Sequence, residues 1–210
     1  MKVIKLNYQT TFELFANGYL IIDSHKQCVV VDPGKEDPTL VSLIKEKGLT
    51  LKAILLTHGH FDHIRAVDML VSEFHCPFYI HQNDIEYLIN PHLNGSDRFS
   101  RKDVIVKNHP IFLHEGVLNI LDEPIEVIET PFHSMGSVCF YLPIEKVLLS
   151  GDTLFFLSVG RTDFVGSNPK LIDSSLAKLM KLDDDVIVYP GHERETTIGN
   201  ERNQNPFVKR

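Results

Sequence analysis

The chain of 210 residues contains no tryptophan and only three cysteines, Cys28, Cys76 and Cys139. They are odd in number, far apart and embedded in or beside apolar segments, and no CxxC pair occurs. A disulfide frame and a thiolate metal site are therefore excluded in favour of buried reduced thiols in a cytoplasmic protein. No stretch approaches the ~18 apolar residues of a membrane helix. The opening "MKVIKLNYQTTFELF" lacks the continuous apolar segment of a secretory signal. Clustered positive charge is missing too. Net charge is −7, and Lys and Arg are scattered, so neither nucleic acid nor an anionic membrane surface is expected as partner. Apolar residues at 43% and charged residues at 23% are ordinary for a globular domain and permit a sizeable core. The length fits one domain spanning 1–210.

What the sequence does contain is a set of strands and helices in a recognisable order. "KVIKLNY" (2–8), "FELFANGYLIID" (12–23) and "CVVVDPG" (28–34) read as strands, rich in β-branched and aromatic residues and bounded by turn formers. "DPTLVSLIKEKG" (37–48) reads as a helix, capped by Asp37, with Pro38 at its first position and Gly48 as its stop. "LKAILLTH" (51–58) is a buried strand. Apolar residues at 64, 67, 70, 71 and 74 predict one helix over "DHIRAVDMLVSEFH" (62–75). "CPFYIH" (76–81) is a strand and "NDIEYLIN" (83–90) a short helix. Residues 90–116 show no sustained period and many turn formers, which predicts a long surface excursion of the kind often tied to function. Strands follow at "PIEVIETP" (124–131), "SVCFYLP" (137–143) and "KVLLSGD" (146–152). A helix is expected over "NPKLIDSSLAKLMKLDDD" (168–185), then a last strand at "VIVYPGH" (186–192). The order, grouped strands and then alternation, occurs twice. It predicts an α/β architecture of two sheets face to face with helices outside, their shared edge gathering several strand ends.

One short stretch carries chemistry. "LTHGHFDH" (56–63) crowds three histidines and an aspartate behind an apolar run, and random placement gives the H-x-H-x-D-H pattern in about one of 500 chains of this composition. His58 and His60 are two apart, so in extended backbone both point to one side and reach one cation. Asp62 and His63 fall where the next helix begins, turned toward a second position, with the helix N-terminus favouring the carboxylate. Imidazole and carboxylate without thiolate suit Zn²⁺, Fe or Mn. Matching groups follow other apolar runs beside glycine or proline: His133 after "IETPF", Asp152 after "VLLSG" and His192 after "VIVYPG". Seven groups are thus expected to converge. His58, His60 and His133 would hold one metal, and Asp62, His63 and His192 another. Asp152 would lie between, since two adjacent cations can share a bridging carboxylate and a bridging water. His25, His75, His81, His92, His109 and His114 have no partner motif and are read as ordinary surface histidines. Asp32 in "VVVDPG" is either a turn former or a carboxylate that orients a ligand.

"THGHFDH", "TPFHSMGS", "LLSGDTLF" and "YPGH" resemble, in order and spacing, the motifs of the metallo-β-lactamase fold superfamily over nearly the whole chain. The resemblance implies an αββα sandwich of two mixed sheets, helices on the outer faces and a metal site at one edge. "SVGRTDF" (158–164) and "TTIGNERNQNPF" (196–207) are similar to the glyoxalase II-like hydroxyacylglutathione hydrolases, closest to short members without the C-terminal helical domain. The chain stops 18 residues after His192, so the glutathione contacts of the long enzymes do not carry over. It departs from the family at Phe132 and Met135, where glycine and proline are usual, and at Arg65 and Glu193, where glycine is usual.

The resemblance implies two divalent metals, zinc first, with iron or manganese possible. It implies hydrolysis of a small thioester such as S-2-hydroxyacylglutathione by a bridging hydroxide that Asp62 orients and Asp152 helps to hold. Arg161 would steer an anionic substrate, or else form a local turn pair with Asp163. A persulfide dioxygenase with one Fe(II) on His58, His133 and Asp152 shares the "GRTDF" loop, and a lactone or phosphoester hydrolase of the same fold is a further alternative. A module that binds metal without catalysis would leave the two shared-ligand metals unexplained.

Overall fold

A computed structural model describes residues 1–6 and 15–209. Strand β1 (Lys2–Leu6) pairs antiparallel with β2 (Gly18–Ile22), and β2 with β3 (Gln27–Val31). β4 (Thr50–Leu55), β5 (Phe78–His81) and β6 (Ile111–Leu113) extend this sheet in parallel. In the second sheet β7 (Gly116–Leu118), β8 (Ile125–Glu129), β9 (Val138–Leu142) and β10 (Val147–Gly151) run antiparallel. A separate hairpin, β11 (Leu154–Phe155) with β12 (Ser158–Val159), precedes β13 (Ile187–Pro190), which lies parallel to β10 and antiparallel to β14 (Thr196–Thr197). Among the described residues each main sheet has six strands.

The strand alternation explains the layering. Leu20, Cys28, Val30 and Ile54 face Leu40 and Ile44 of α1 (Pro38–Glu46) together with Ile64 of α2 (Phe61–Ile64) and Val67 and Leu70 of α3 (Val67–Phe74). Their sequence neighbours Ile21, Val29, Ala53 and Leu55 face the other way, against Val127, Phe140 and Leu149 of the second sheet. Cys139, Leu148 and Val188 on that sheet's outer face meet Leu176 and Leu179. A period of two on each strand therefore yields three apolar layers between four layers of structure, the predicted αββα sandwich. Burial pushes the free thiols of Cys28, Cys76 and Cys139 up, to about 12, 11 and 11.

Several expectations are corrected. The helix predicted over 62–75 is broken, because the Ala66 N–H donates to the Pro33 carbonyl (2.8 Å) instead of continuing the helical ladder. The short helix near 83–90 is a 3₁₀ helix, Gln82–Leu88, whose three-residue repeat stacks buried Asp84 above buried Tyr87. Residues 90–116 are not one surface excursion. They contain α4 (Pro91–Asn94), α5 (Ser96–Phe99) and β6, and Val104 and Val106 join the core. Elements of three or four residues are too short to show a period. The helix expected over 168–185 is a 3₁₀ turn at Pro169–Leu171 and α6 (Ile172–Leu179), and the motif at 196–207 begins with β14 and α7 (Ile198–Gln204). The expected strands at 2–8 and 12–23 lie partly outside the described residues. Within the described part of the latter, strand begins only at Gly18.

Candidate metal centre

The predicted groups reach one edge of the sandwich from five chain segments. His58 and His60 follow β4, and Asp62 and His63 occupy α2. His133 follows β8, Asp152 follows β10 and His192 follows β13. His58, His60, Asp62, His63 and His133 are buried, Asp152 nearly so, while His192 keeps 23% of its side chain exposed. Three sets each place one ligand atom per residue within 4.8 Å of one another: His58, His60 and His133; His58, His63 and Asp152; Asp62, His63 and His192. Asp152 spans them. Its Oδ1 lies 3.3 Å from His63 Nε2, and its Oδ2 lies 3.4 Å from His133 Nε2 and 3.5 Å from His192 Nε2. Asp62 Oδ2 is 3.2 Å from His192 Nε2.

Three histidines are aimed by a second contact on Nδ1. His58 Nδ1 is 3.1 Å from Thr57 Oγ1, His63 Nδ1 is 3.0 Å from Asp32 Oδ2, and His133 Nδ1 is 2.8 Å from the Arg161 carbonyl. Each contact leaves Nε2 turned inward, the arrangement that fixes ring orientation at metal sites. Asp32 does both things weighed for it. It holds the left-handed region at φ 49° as the turn begins, and its buried carboxylate also accepts from Thr57 N–H (2.8 Å) and Thr57 Oγ1–H (2.7 Å).

The fit to a cation is tested by polar atoms left over. Among the described residues His58 Nε2 and His60 Nε2 are buried without a hydrogen-bond partner, and His63 Nε2 and Asp152 Oδ1 face each other at 3.3 Å without forming a hydrogen bond. Such orphans are costly unless something else satisfies them, and a divalent cation does so for donors of this kind. Electrostatics divide the histidines into two groups. Burial outweighs everything else at His58 and His60, driving the first well down and the second to about 3, so both rings are neutral and have lone pairs to give. At His63 and His192 burial also pushes downward, but the carboxylates of Asp32, Asp152 and Asp62 overcome it and the pKa rises. Burial favours the neutral acids of Asp62 and Asp152, yet the surrounding imidazoles hold both below the usual carboxylate range. The cluster is therefore suited to binding metal ions.

The sequence matches the family described as Metallo-beta-lactamase superfamily over residues 11–192. The chain belongs to the metallo-beta-lactamase superfamily. It is 42% identical to the Probable metallo-hydrolase YqgX of Bacillus subtilis (strain 168), across 92% of each chain. It is 36% identical to Hydroxyacylglutathione hydrolase GloC of Haemophilus influenzae, across 91% of this chain and 92% of the relative. Among solved superfamily structures, the BLEG-1 B3 metallo-beta-lactamase is similar with TM-score 0.90 and 37% identity, covering 99% of both chains. TTHA1623 in a di-iron-bound form gives 0.83 and 35%, covering 99% of this chain and 100% of that one. ETHE1 from Myxococcus xanthus gives 0.75 and 27%, covering 98% and 84%.

Two residues of this superfamily site escaped the sequence reading. Asp84, fully buried, accepts hydrogen bonds from Gly59 N–H (2.9 Å), Ser134 Oγ–H (2.6 Å) and Gly136 N–H (2.7 Å). It thereby ties the loop of His58–His63 to the loop of His133. Gly160 lets the chain after β12 pass the Asp152 backbone, where a Cβ would lie 1.8 Å from the carbonyl oxygen. Gly160 lies within "SVGRTDF", where the sequence reading gave the glycine no role, and nothing in the sequence around Asp84 marks it. Of the family departures, Phe132 is buried in the core under the second sheet, whereas Met135 is exposed. Arg65 lies over the rings of Phe15 and Phe61, and Glu193 adopts φ 67° on the cavity wall. The Arg161 guanidinium forms a bidentate pair with Asp163 (2.9 and 2.7 Å) and covers the Phe164 ring at 4.4 Å. None of His25, His75, His81, His92, His109 and His114 joins the metal-competent sets found among the described residues. Nor is any helix of the described residues long and apolar enough to cross a membrane.

Proposed function

We propose that the chain is a metal-dependent thioester hydrolase of the glyoxalase II-like kind, with S-2-hydroxyacylglutathione as reference substrate. The observation that carries metal use is the convergence of seven imidazole and carboxylate side chains at one edge, with the Nε2 atoms of His58, His60 and His63 and Oδ1 of Asp152 buried and without a hydrogen bond among the described residues. The thioester assignment is supported by the Gly160–Phe164 "GRTDF" loop at the cavity and by the likeness to GloC. His58, His60 and His133 would hold one divalent cation and Asp62, His63 and His192 a second, with Asp152 shared. Zinc suits this donor set best, and the di-iron form of TTHA1623 keeps iron in view. When bound, the metals act as Lewis acids, making water nucleophilic near neutral pH and polarising the acyl oxygen.

The protein's own part follows from position. Asp62 reaches the cavity as a carboxylate, held so by His63 and His192, and orients the attacking water through its proton. Asp32, Thr57 and the Arg161 carbonyl keep three imidazoles from rotating, so little reorganisation accompanies reaction. Hydrolysis forms a bond from the water oxygen to the acyl carbon and breaks the carbon–sulfur bond; the sulfur leaves as a thiolate with that bond's electron pair and takes up a proton released by the attacking water. A thiolate departs readily, so no general acid is needed. Steering by Arg161 requires opening its pair with Asp163. Three buried free cysteines suit a cytoplasmic setting.

Metal analysis paired with a thioester hydrolysis assay on one preparation tests this reading. Two metals per chain with turnover of S-lactoylglutathione is the expected result. One iron per chain with oxygen uptake on glutathione persulfide would replace it with the dioxygenase reading, for which His58, His133 and Asp152 also lie together at this edge.

A further inference from the structure

Beside the ligand cluster opens a cavity of about 430 Å³, within the ~300–1,000 Å³ usual for small-molecule sites. Four phenylalanines, Phe61, Phe99, Phe155 and Phe164, stand on its described walls beside the histidine and carboxylate cluster. Phe164 stands edge-on to His60 and His133, with centroids 5.1 and 5.9 Å away, and Phe155 stands edge-on to His192 at 6.0 Å. Phe99 meets Phe164 at 5.9 Å and is half exposed at the mouth. Two polar side chains on these walls, Asn94 and Arg161, are already engaged. Asn94 is buried and donates to the carbonyls of Tyr87 and Val104 while accepting from Ser96 N–H. Arg161 is the one Lys or Arg among the described lining residues, and Asp163 neutralises it. Glu193 adds negative charge nearby.

A small hydroxyacyl group would fill little of this space. We infer that the site selects thioesters whose acyl group is apolar, uncharged and about the size of an aromatic ring, with Phe164 as the specificity-determining side chain. Phe164 is suited to that role because it forms wall beside the cluster and is itself held by the Arg161 guanidinium. An apolar group laid against it leaves water, whereas a lactoyl group gains only one methyl contact. The inference rests on the thioester-hydrolase reading and names its acyl specificity.

The test holds the carrier constant. On the metal-loaded chain, kcat/KM is compared for S-phenylacetylglutathione and S-lactoylglutathione. Calorimetric binding is compared for two thioethers without a scissile carbonyl, S-phenethylglutathione and S-methylglutathione, with metal-loaded and metal-free protein. At least a tenfold preference for the phenyl member of each pair is expected, since one methylene alone can be worth roughly tenfold in an apolar pocket. Phe164→Ala should cut both preferences at least fivefold at unchanged metal content. Phe164→Leu, which keeps an apolar wall and guards against a folding defect, should retain most of them. Equal or reversed preference, or a preference that Phe164→Ala leaves intact, overturns the inference while hydrolysis of either compound sustains the thioester reading. Preferential phenethyl binding with neither thioester hydrolysed supports the apolar pocket and sinks the thioester chemistry instead.

Discussion

The two halves of the site are built differently. His58, His60, Asp62 and His63 come from six consecutive positions after β4, all buried and anchored by Asp32 and Thr57 of the same sheet. His133, Asp152 and His192 each end a different strand, and His192 is the most exposed of the seven. Their supports are backbone: the Arg161 carbonyl behind His133, and a close approach at Gly191, where a Cβ would lie 2.2 Å from Asp152 Oδ1. The first half is therefore a side-chain network that mutation can dismantle piece by piece. The second depends on where the chain runs, and substitutions act on it mainly by pushing. Asp84 belongs to neither half alone, because it bonds to loops of both.

The comparison can be broken most directly at Asp152, the group common to both halves. Asp152→Ala should reduce metal content and hydrolysis together, by more than the roughly 10–100-fold typical of an outer hydrogen-bond partner. Full activity in that variant would remove its shared role. Asp84→Ala comes next. Two backbone N–H groups and a hydroxyl lose their buried acceptor, so urea unfolding should show a loss of about 2–4 kcal/mol, with weaker metal binding. An unchanged midpoint would mean the halves are held together by something else.

Asp32→Asn sharpens the contrast. The amide keeps the size of the side chain but removes the charge facing His63, so metal affinity measured by competition with a chelator should fall by roughly 10-fold or more. No substitution can delete the equivalent support of His133, which is a carbonyl. The smallest effect is expected for His25→Ala. His25 is exposed and outside the cluster, so metal content and turnover should match the unaltered protein. A loss of metal there would show that histidines beyond the seven take part.

Sequence reading reached the sandwich because buried strands and amphipathic helices leave periods long enough to recognise, as in β2 to β4 and α1. It reached the ligand loop because H-x-H-x-D-H is dense and rare. It failed over 90–116, where α4, α5 and β6 have three or four residues each and owe their form to tertiary contacts. It failed at the break between α2 and α3 because the bond that ends the helical ladder goes to Pro33, 33 positions earlier. Asp84 was illegible for a related reason: its partners lie 25 and 50 or more positions away, and nothing local requires a carboxylate there.

Residue types and their spacing account for the alternation that layers the sheets, for the chemistry of the candidate donor groups and for the chain positions from which they come. These are local properties, set by side-chain type and by periods of two and 3.6 residues. Long-range contacts settle which ring nitrogen faces inward, that Asp152 lies between His63, His133 and His192, and that phenylalanines stand beside the adjoining cavity. Those depend on distances between segments far apart in the chain, which folding fixes and no short stretch encodes.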